Sequence, residues 1–324
     1  MKKLKKVMTV VLAVVLGASS FTMTSCSGSV KEDDGRRSVV ATNFALYDFA
    51  KNVCGDEVDV TMLLPLGTES HDFEATLGDI DKIASADLFI YTGGESEDWV
   101  DDVFVTLGDM GITVNSICAI DEVETYTEEV VDGMQEDHDH EEEHEHEEAE
   151  ADEHVWTSIP NAVVMIEKIC ESVSELEPSL SEKINANAAE YIEELYEIDM
   201  EIETTVQSSA RNVLVFADRF PFRYFTERYS LDYYAAFSGC TSNTEPTLAT
   251  VNFLIEKVRE EKIPAVLTIE FSDKKCAEAV AGECGCDILE LHSAHNVTRE
   301  DFESGVTYAD LMRRNLEVLR VVLN

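Results

Sequence analysis

Residues 179–209 read SLSEKINANAAEYIEELYEIDMEIETTVQSS, and the fold follows from how this stretch is read. Ile184, Ala188, Tyr191, Ile192, Leu195, Ile198, Ile202 and Val206 recur at helical spacing, which predicts one amphipathic helix capped by Ser179 after the breaker Pro178. About thirty helical residues at ~1.5 Å each span roughly 45 Å, enough to cross a domain. On its N-terminal side, apolar runs alternate with helical patterns: strand Ser38–Thr42, helix Phe44–Cys54, strand Val58–Leu64, helix Leu77–Ala84, strand Asp87–Thr92, helix Glu97–Leu107 and strand Ile112–Cys118. A helix from Pro160 to Glu177 precedes the long one. Beyond it the alternation restarts: strand Asn212–Phe216, helix Phe220–Tyr229, strand Leu231–Phe237, helix Thr247–Glu261, strand Ala265–Glu270, helix Asp273–Ala281, strand Asp287–Leu291 and helix Tyr308–Val322. Strands alternating with helices form parallel sheets covered on both faces. The expected fold class is therefore α/β, with two lobes, each a parallel sheet flanked by helices, joined by one long rigid helix. Ligands of such folds sit beyond the strand C-ends, here in the crevice between the lobes. The expected divisions are an N-terminal lobe over 38–159, a helical linker over 160–210 and a C-terminal lobe over 211–324.

The chain opens with Lys2, Lys3, Lys5 and Lys6, an apolar run from Val7 to Ala18 and small polar residues up to Cys26. This is the pattern of a secretory signal, its apolar core too short for a comfortable membrane span. Met23-Thr24-Ser25-Cys26 resembles a bacterial lipobox, which implies a signal peptide over 1–25, lipidation of Cys26 and a polar tether over 26–37. The net charge of −43 makes nucleic acid and anionic surfaces poor partners and draws cations in. Seven cysteines remain after Cys26; Cys284-Gly285-Cys286 suits a disulfide partner or plain thiols better than a metal clip, since no second close pair accompanies it.

Between Glu136 and His154 there are five His, twelve Asp or Glu, two Ala and nothing else. Imidazole and carboxylate both bind metals, so the tract reads as a cation-collecting arm, with His138, His140, His144 and His146 as weak capture groups. His140-Glu141-Glu142-Glu143-His144 matches the metalloprotease pattern HExxH, but that pattern needs an ordered helix and this run has no apolar stripe. The other histidines fall at strand ends or the loops past them: His71, His292 and His295, with His154 closing the tract. Three imidazoles favour zinc over manganese, which prefers an oxygen-rich shell.

Pro65-x-Gly67 with His71 beyond it, Asp87-Leu-Phe-Ile-Tyr-Thr-Gly-Gly94 with Trp99, Asp152-x-His154-Val-Trp156, and Tyr308-x-x-Leu-Met312 with Asn315 resemble the zinc branch of the metal-binding lipoproteins of ABC importers, a family that includes adhesins. The resemblance covers nearly all of 38–323. It implies zinc capture at the outer face of a bacterial membrane or in the periplasm, a lipid anchor, a permease and its ATPase as partners, a monomer, and no catalytic residues. Manganese binding by the same importer class is the alternative, and a secreted zinc hydrolase the remote one. Where the family supplies a third ligand after the first strand of lobe two, this chain has Ala217. The ligand set expected from the resemblance is therefore rearranged: His71, His154 and His292, with His295 or Glu270 as a fourth. Asp218 is expected to pair with Arg219 beside it.

Overall fold

A computed structural model of the chain describes residues 35–68, 73–135, 151–239 and 245–324. The long helix is present as α5, and the elements around it are, in chain order, β1 (Ser38–Ala41), α1 (Phe44–Cys54), β2 (Asp59–Met62), α2 (Leu77–Ser85), β3 (Leu88–Tyr91), α3 (Trp99–Asp109), β4 (Ser116–Cys118), α4 (Ile159–Leu176), α5 (Ser181–Ser208), β5 (Val213–Phe220), α6 (Arg223–Tyr229), β6 (Asp232–Ser238), α7 (Leu248–Glu261), β7 (Ala265–Thr268), α8 (Lys275–Cys284), β8 (Asp287–Glu290), α9 (Arg299–Ser304) and α10 (Tyr308–Val322). The two sheets share one topology, β2-β1-β3-β4 and β6-β5-β7-β8, with every pair parallel. In each, the strand order reverses beside its first strand, which places a crevice at the C-ends of β1 and β3 and of β5 and β7.

Side-chain alternation sorts each sheet between two cores. Val39, Ala41, Leu88 and Ile90 face a large inner core, whereas Val40 and Phe89 face an outer one with Ile83, Val100 and Leu107. In the second sheet Leu214 and Phe216 point inward, and Val213, Val215 and Ala217 point outward under α7 and α8. The inner core belongs to both sheets, and α5 buries Ile184, Ala188, Tyr191, Leu195, Ile198 and Ile202 in it. Each large side chain of this kind stabilises by about 1.5–3 kcal/mol when fully buried. Residues Arg36–Asn324 consequently form one compact unit.

Three local differences from the sequence reading have physical causes. Ser179 does not cap α5: its hydroxyl donates to Glu177 Oε1 at 2.6 Å, Pro178–Leu180 forms a 3-10 turn, and α5 starts at Ser181. β5 does not stop at Phe216 but runs to Phe220 after a register shift, so α6 starts only at Arg223. The short helix α9, capped by Thr298, was not anticipated, because six residues carry too little periodicity to register.

Candidate metal centre

His154 closes the acidic tract and enters a single 3-10 turn, Val155–Thr157, in which Val155, Trp156 and Thr157 are buried. Asp152 Oδ1 receives both the backbone N–H of His154, at 2.8 Å, and its ring Nδ1, at 3.1 Å. A carboxylate only accepts, so in the neutral ring Nδ1 carries the hydrogen and the lone pair falls on Nε2, the tautomer that metal-binding imidazoles oriented by a carboxylate adopt. Tyr224 holds the other side of Asp152 by donating its hydroxyl to the backbone carbonyl at 2.6 Å. Burial works against the charged ring of His154, but Asp152, Glu153 and Glu128 outweigh it and raise the imidazole above its ordinary pKa. Glu153 is itself pushed up by burial and accepts from the backbone N–H of Ser96 at 2.9 Å and from its hydroxyl. Gly239 is needed at the back of the ring: a Cβ there would lie 3.0 Å from the Phe220 carbonyl and 3.1 Å from His154 Cε1.

The facing wall is the turn after β8. Glu270 receives the N–H and hydroxyl of Ser293, His295 N–H donates to Ser293 Oγ at 3.3 Å, and Ala294 adopts φ 62° between them. The turn is also fastened to the first lobe. Phe44 N–H donates to the His295 carbonyl at 2.9 Å, and Asn296 donates to the carbonyls of Pro65 and Thr68, both at 2.8 Å. Trp156 Nε1 donates to the Ser293 carbonyl at 2.8 Å, and Tyr308 donates to that of Trp156 at 2.7 Å.

His154 and His295 thereby meet across a cavity of about 20 Å³, also lined by Glu270, Arg219, Thr68 and Gly239. That is room for about one water or one ion. Their ring centroids lie 6.0 Å apart at 82°. Two imidazoles on one tetrahedral zinc, at about 2 Å per Zn–N bond, put their centroids roughly 5 Å apart, so a small approach would complete the pair. Among the described residues no three His, Cys, Asp or Glu converge closely enough to hold an ion. His71, His138, His140, His144, His146 and Cys26 lie outside the described residues.

His292 is not brought to this cavity. Its Nδ1 accepts the Ala294 N–H at 3.0 Å and lies 3.6 Å from Glu270 Oε2, while Asn315 clasps its backbone N–H and carbonyl, each at 2.8 Å. With Nδ1 accepting, the neutral ring carries its hydrogen on Nε2. Asp218 accepts the backbone N–H groups of Arg219 and Ile269 at 2.9 and 3.3 Å, and burial raises its carboxyl despite the neighbouring guanidinium. Cys284 and Cys286, like the other four described cysteines, are free thiols.

The described chain resumes after the tract beside this centre. Gln135 pairs with Phe237 on β6, at the edge of the second sheet, and Ala151, three residues before His154, bridges Thr127.

Residues 39–322 match the family described as zinc-uptake complex component A, periplasmic. The zinc-binding protein AdcA of Streptococcus pyogenes is 31% identical over 291 residues, 89% of this chain but 56% of that protein, so the chain spans little more than half of this relative. The high-affinity zinc uptake system protein ZnuA of Bacillus subtilis is 30% identical over 313 residues, 96% of this chain and 95% of its own. Among solved structures, the Zn(II)-bound ZnuA-like domain of Streptococcus pneumoniae AdcA superposes with a TM-score of 0.72 at 28% identity, covering 89% of this chain and 99% of that domain.

Proposed function

The chain belongs to the zinc-uptake component A family, and on that premise we propose that it is an extracytoplasmic lipoprotein that captures zinc and delivers it to the permease and ATPase of an ABC importer. The observation that carries the reading is the pairing of His154 with His295 across a cavity of about 20 Å³. Each ring comes from a segment fixed to both lobes, and Asp152 sets the tautomer that leaves a lone pair on His154. In this reading His71 supplies a third imidazole, and Glu270 and His292 hold the turn that presents His295. Cys26 carries the lipid anchor. The His/acid-rich tract gathers further ions weakly, since separate ligands must be ordered to converge on a metal.

A nitrogen-rich site selects zinc before manganese. A hydrolytic reading would need a carboxylate placed to activate water; Glu270, the one carboxylate that the described residues bring to the cavity wall, is engaged by both polar groups of Ser293. Metal analysis of the purified mature protein after dialysis tests the proposal. The expected result is about one tightly held zinc, not displaced by excess manganese and lost in His154→Ala. A protein that emerges metal-free, or that prefers manganese, would overturn it.

A further inference from the structure

Cys284, Gly285 and Cys286 lie where α8 ends and β8 begins, and the metal centre makes no use of them. Gly285 closes α8 at φ 71° and ψ 30°, a left-handed conformation that glycine adopts freely, and its N–H donates to the Ala281 carbonyl at 2.7 Å. The dihedrals of a middle residue set the distance between its two neighbours. A helical turn of either hand, rising ~1.5 Å per residue at a radius of ~2.3 Å, puts Cα atoms two positions apart at about 5.4 Å. Disulfides span Cα separations of about 4.4–6.8 Å, so the helix end by itself holds this pair at bridging distance. Both side chains are half-buried against the same outer core, under α7 and α8, with the exposed Gly285 between them. A metal clip would need further ligands, and among the described residues no third His, Cys, Asp or Glu joins the pair. Cys54, Cys170 and Cys276, by contrast, are buried.

We propose that Cys284 and Cys286 form a reversible thiol–disulfide exchange site that takes a low-molecular-weight disulfide as its oxidant. Cys284 is the attacking thiol. Arg259 Nη2 donates to the Glu283 carbonyl at 2.9 Å, and the guanidinium so placed opposes the rise that burial gives the Cys284 pKa. Burial and charge on Cys284 both raise the Cys286 thiol, which suits the resolving role. After losing its proton to water, Cys284 attacks one sulfur of the external disulfide; that S–S bond breaks, and one half leaves as a thiolate and takes up a proton. Cys286 then loses its proton and attacks the Cys284 sulfur of the mixed disulfide, expelling the second half in the same way. Two protein thiols are oxidised to one disulfide, and one external disulfide is reduced to two thiols. An extracytoplasmic setting lets such bonds persist. The ring is small, and strained or exposed disulfides are the readily reduced ones, so excess thiol reopens it. The pair stands at the N-terminal end of β8, away from the end that carries the His292–His295 turn, and the inference does not depend on zinc capture.

The purified protein, reduced and stripped of metal with a chelator, is to be equilibrated with glutathione at a series of oxidised-to-reduced ratios. Acid quenching, alkylation under denaturing conditions and mass spectrometry of the digest then report each cysteine. As oxidised glutathione rises, the peptide carrying residues 284–286 should lose both alkylation sites and two hydrogen masses in a single step, while Cys54, Cys170 and Cys276 stay alkylated. Added reduced glutathione should restore both sites. Cys286→Ser should accumulate one glutathione on Cys284, the intermediate that wild type resolves, and Cys284→Ser should take up glutathione more slowly. If a serine variant does not fold, the wild-type peptide decides alone. A wild-type peptide that stays fully alkylated at every ratio, that carries a glutathione on each cysteine, or whose bond runs to another cysteine overturns the proposal. So does Cys284→Ser reacting as fast as Cys286→Ser.

Discussion

One carboxylate oxygen, Asp152 Oδ1, fixes both the backbone and the ring of His154. Partners of this kind orient metal-binding imidazoles, and losing one costs about 10–100-fold in affinity. Asp152→Asn should weaken zinc binding by that amount while leaving stoichiometry unchanged, as read by chelator competition. The same partner sets a pH dependence. The folded-state imidazole titrates above its ordinary value, so protons compete with zinc from a higher pH than for a free histidine. As pH is lowered, zinc affinity should begin to fall before pH reaches ~6.5, and in Asp152→Asn the onset should move to lower pH. On the opposite wall, His295→Ala should abolish tight binding and His292→Ala should reduce it less; equal losses would place both rings on the metal. The place of His154 in the cavity wall was legible in the sequence, because it closes a run rich in metal-binding residue types just before the buried Val155–Thr157 turn. Which of His292 and His295 lines the cavity was not, because both lie past the end of β8 at Glu290, where strand alternation no longer applies, and Ala294 turns through positive φ between them. The continuation of β5 past Phe216 was hidden for a related reason: the register shift there breaks the period of two.

At the scale of elements, Asp48 joins three helices. Its Oδ2 accepts the Tyr191 hydroxyl from α5 at 2.6 Å and the Tyr308 N–H at the start of α10 at 3.0 Å, from a buried position on α1. Burial pushes its carboxyl up to about 6, opposed by those hydrogen bonds and by Asn52, with nearby Asp310 adding to the rise. Because the folded value lies above the unfolded one, the neutral acid is favoured in the folded protein. That contribution to stability is complete below about pH 4 and is lost as pH rises through the folded value. An asparagine keeps an acceptor and cannot titrate. Wild type should therefore lose up to about 3 kcal/mol relative to Asp48→Asn between pH 4 and pH 7, measured by urea unfolding at each pH. A constant difference would show that Asp48 is not proton-linked. The helices themselves were readable from period and breakers, since α1, α5 and α10 present long stripes to one core. Their clasp was not, because Asp48 and Tyr308 are 260 positions apart and neither departs from helical patterning.

Across the whole molecule, the sequence suggested two lobes on a connecting rod, and the two matching sheets bear out that architecture. The rod is also a core element. Leu195, 0% exposed at the middle of α5, lies in the same cluster as Val39 and Ile90 of the first sheet and Phe216 and Leu267 of the second. The Trp156–Ser293, Asn296–Thr68 and Tyr224–Asp152 hydrogen bonds add polar ties around the metal centre. Domains that hinge freely meet through small polar interfaces, whereas a large shared apolar core makes their unfolding one event. Leu195→Ala should cost about 2–5 kcal/mol, the range for a leucine removed from a packed core, and shift a single transition. The measurement is urea unfolding of the metal-free protein followed by far-ultraviolet circular dichroism and by the fluorescence of buried Trp156 beside the metal centre. Coincident curves, displaced together by the mutation, are expected. If the two probes separate, or Leu195→Ala moves only one of them, the lobes fold independently and α5 is a linker between two cores rather than part of one.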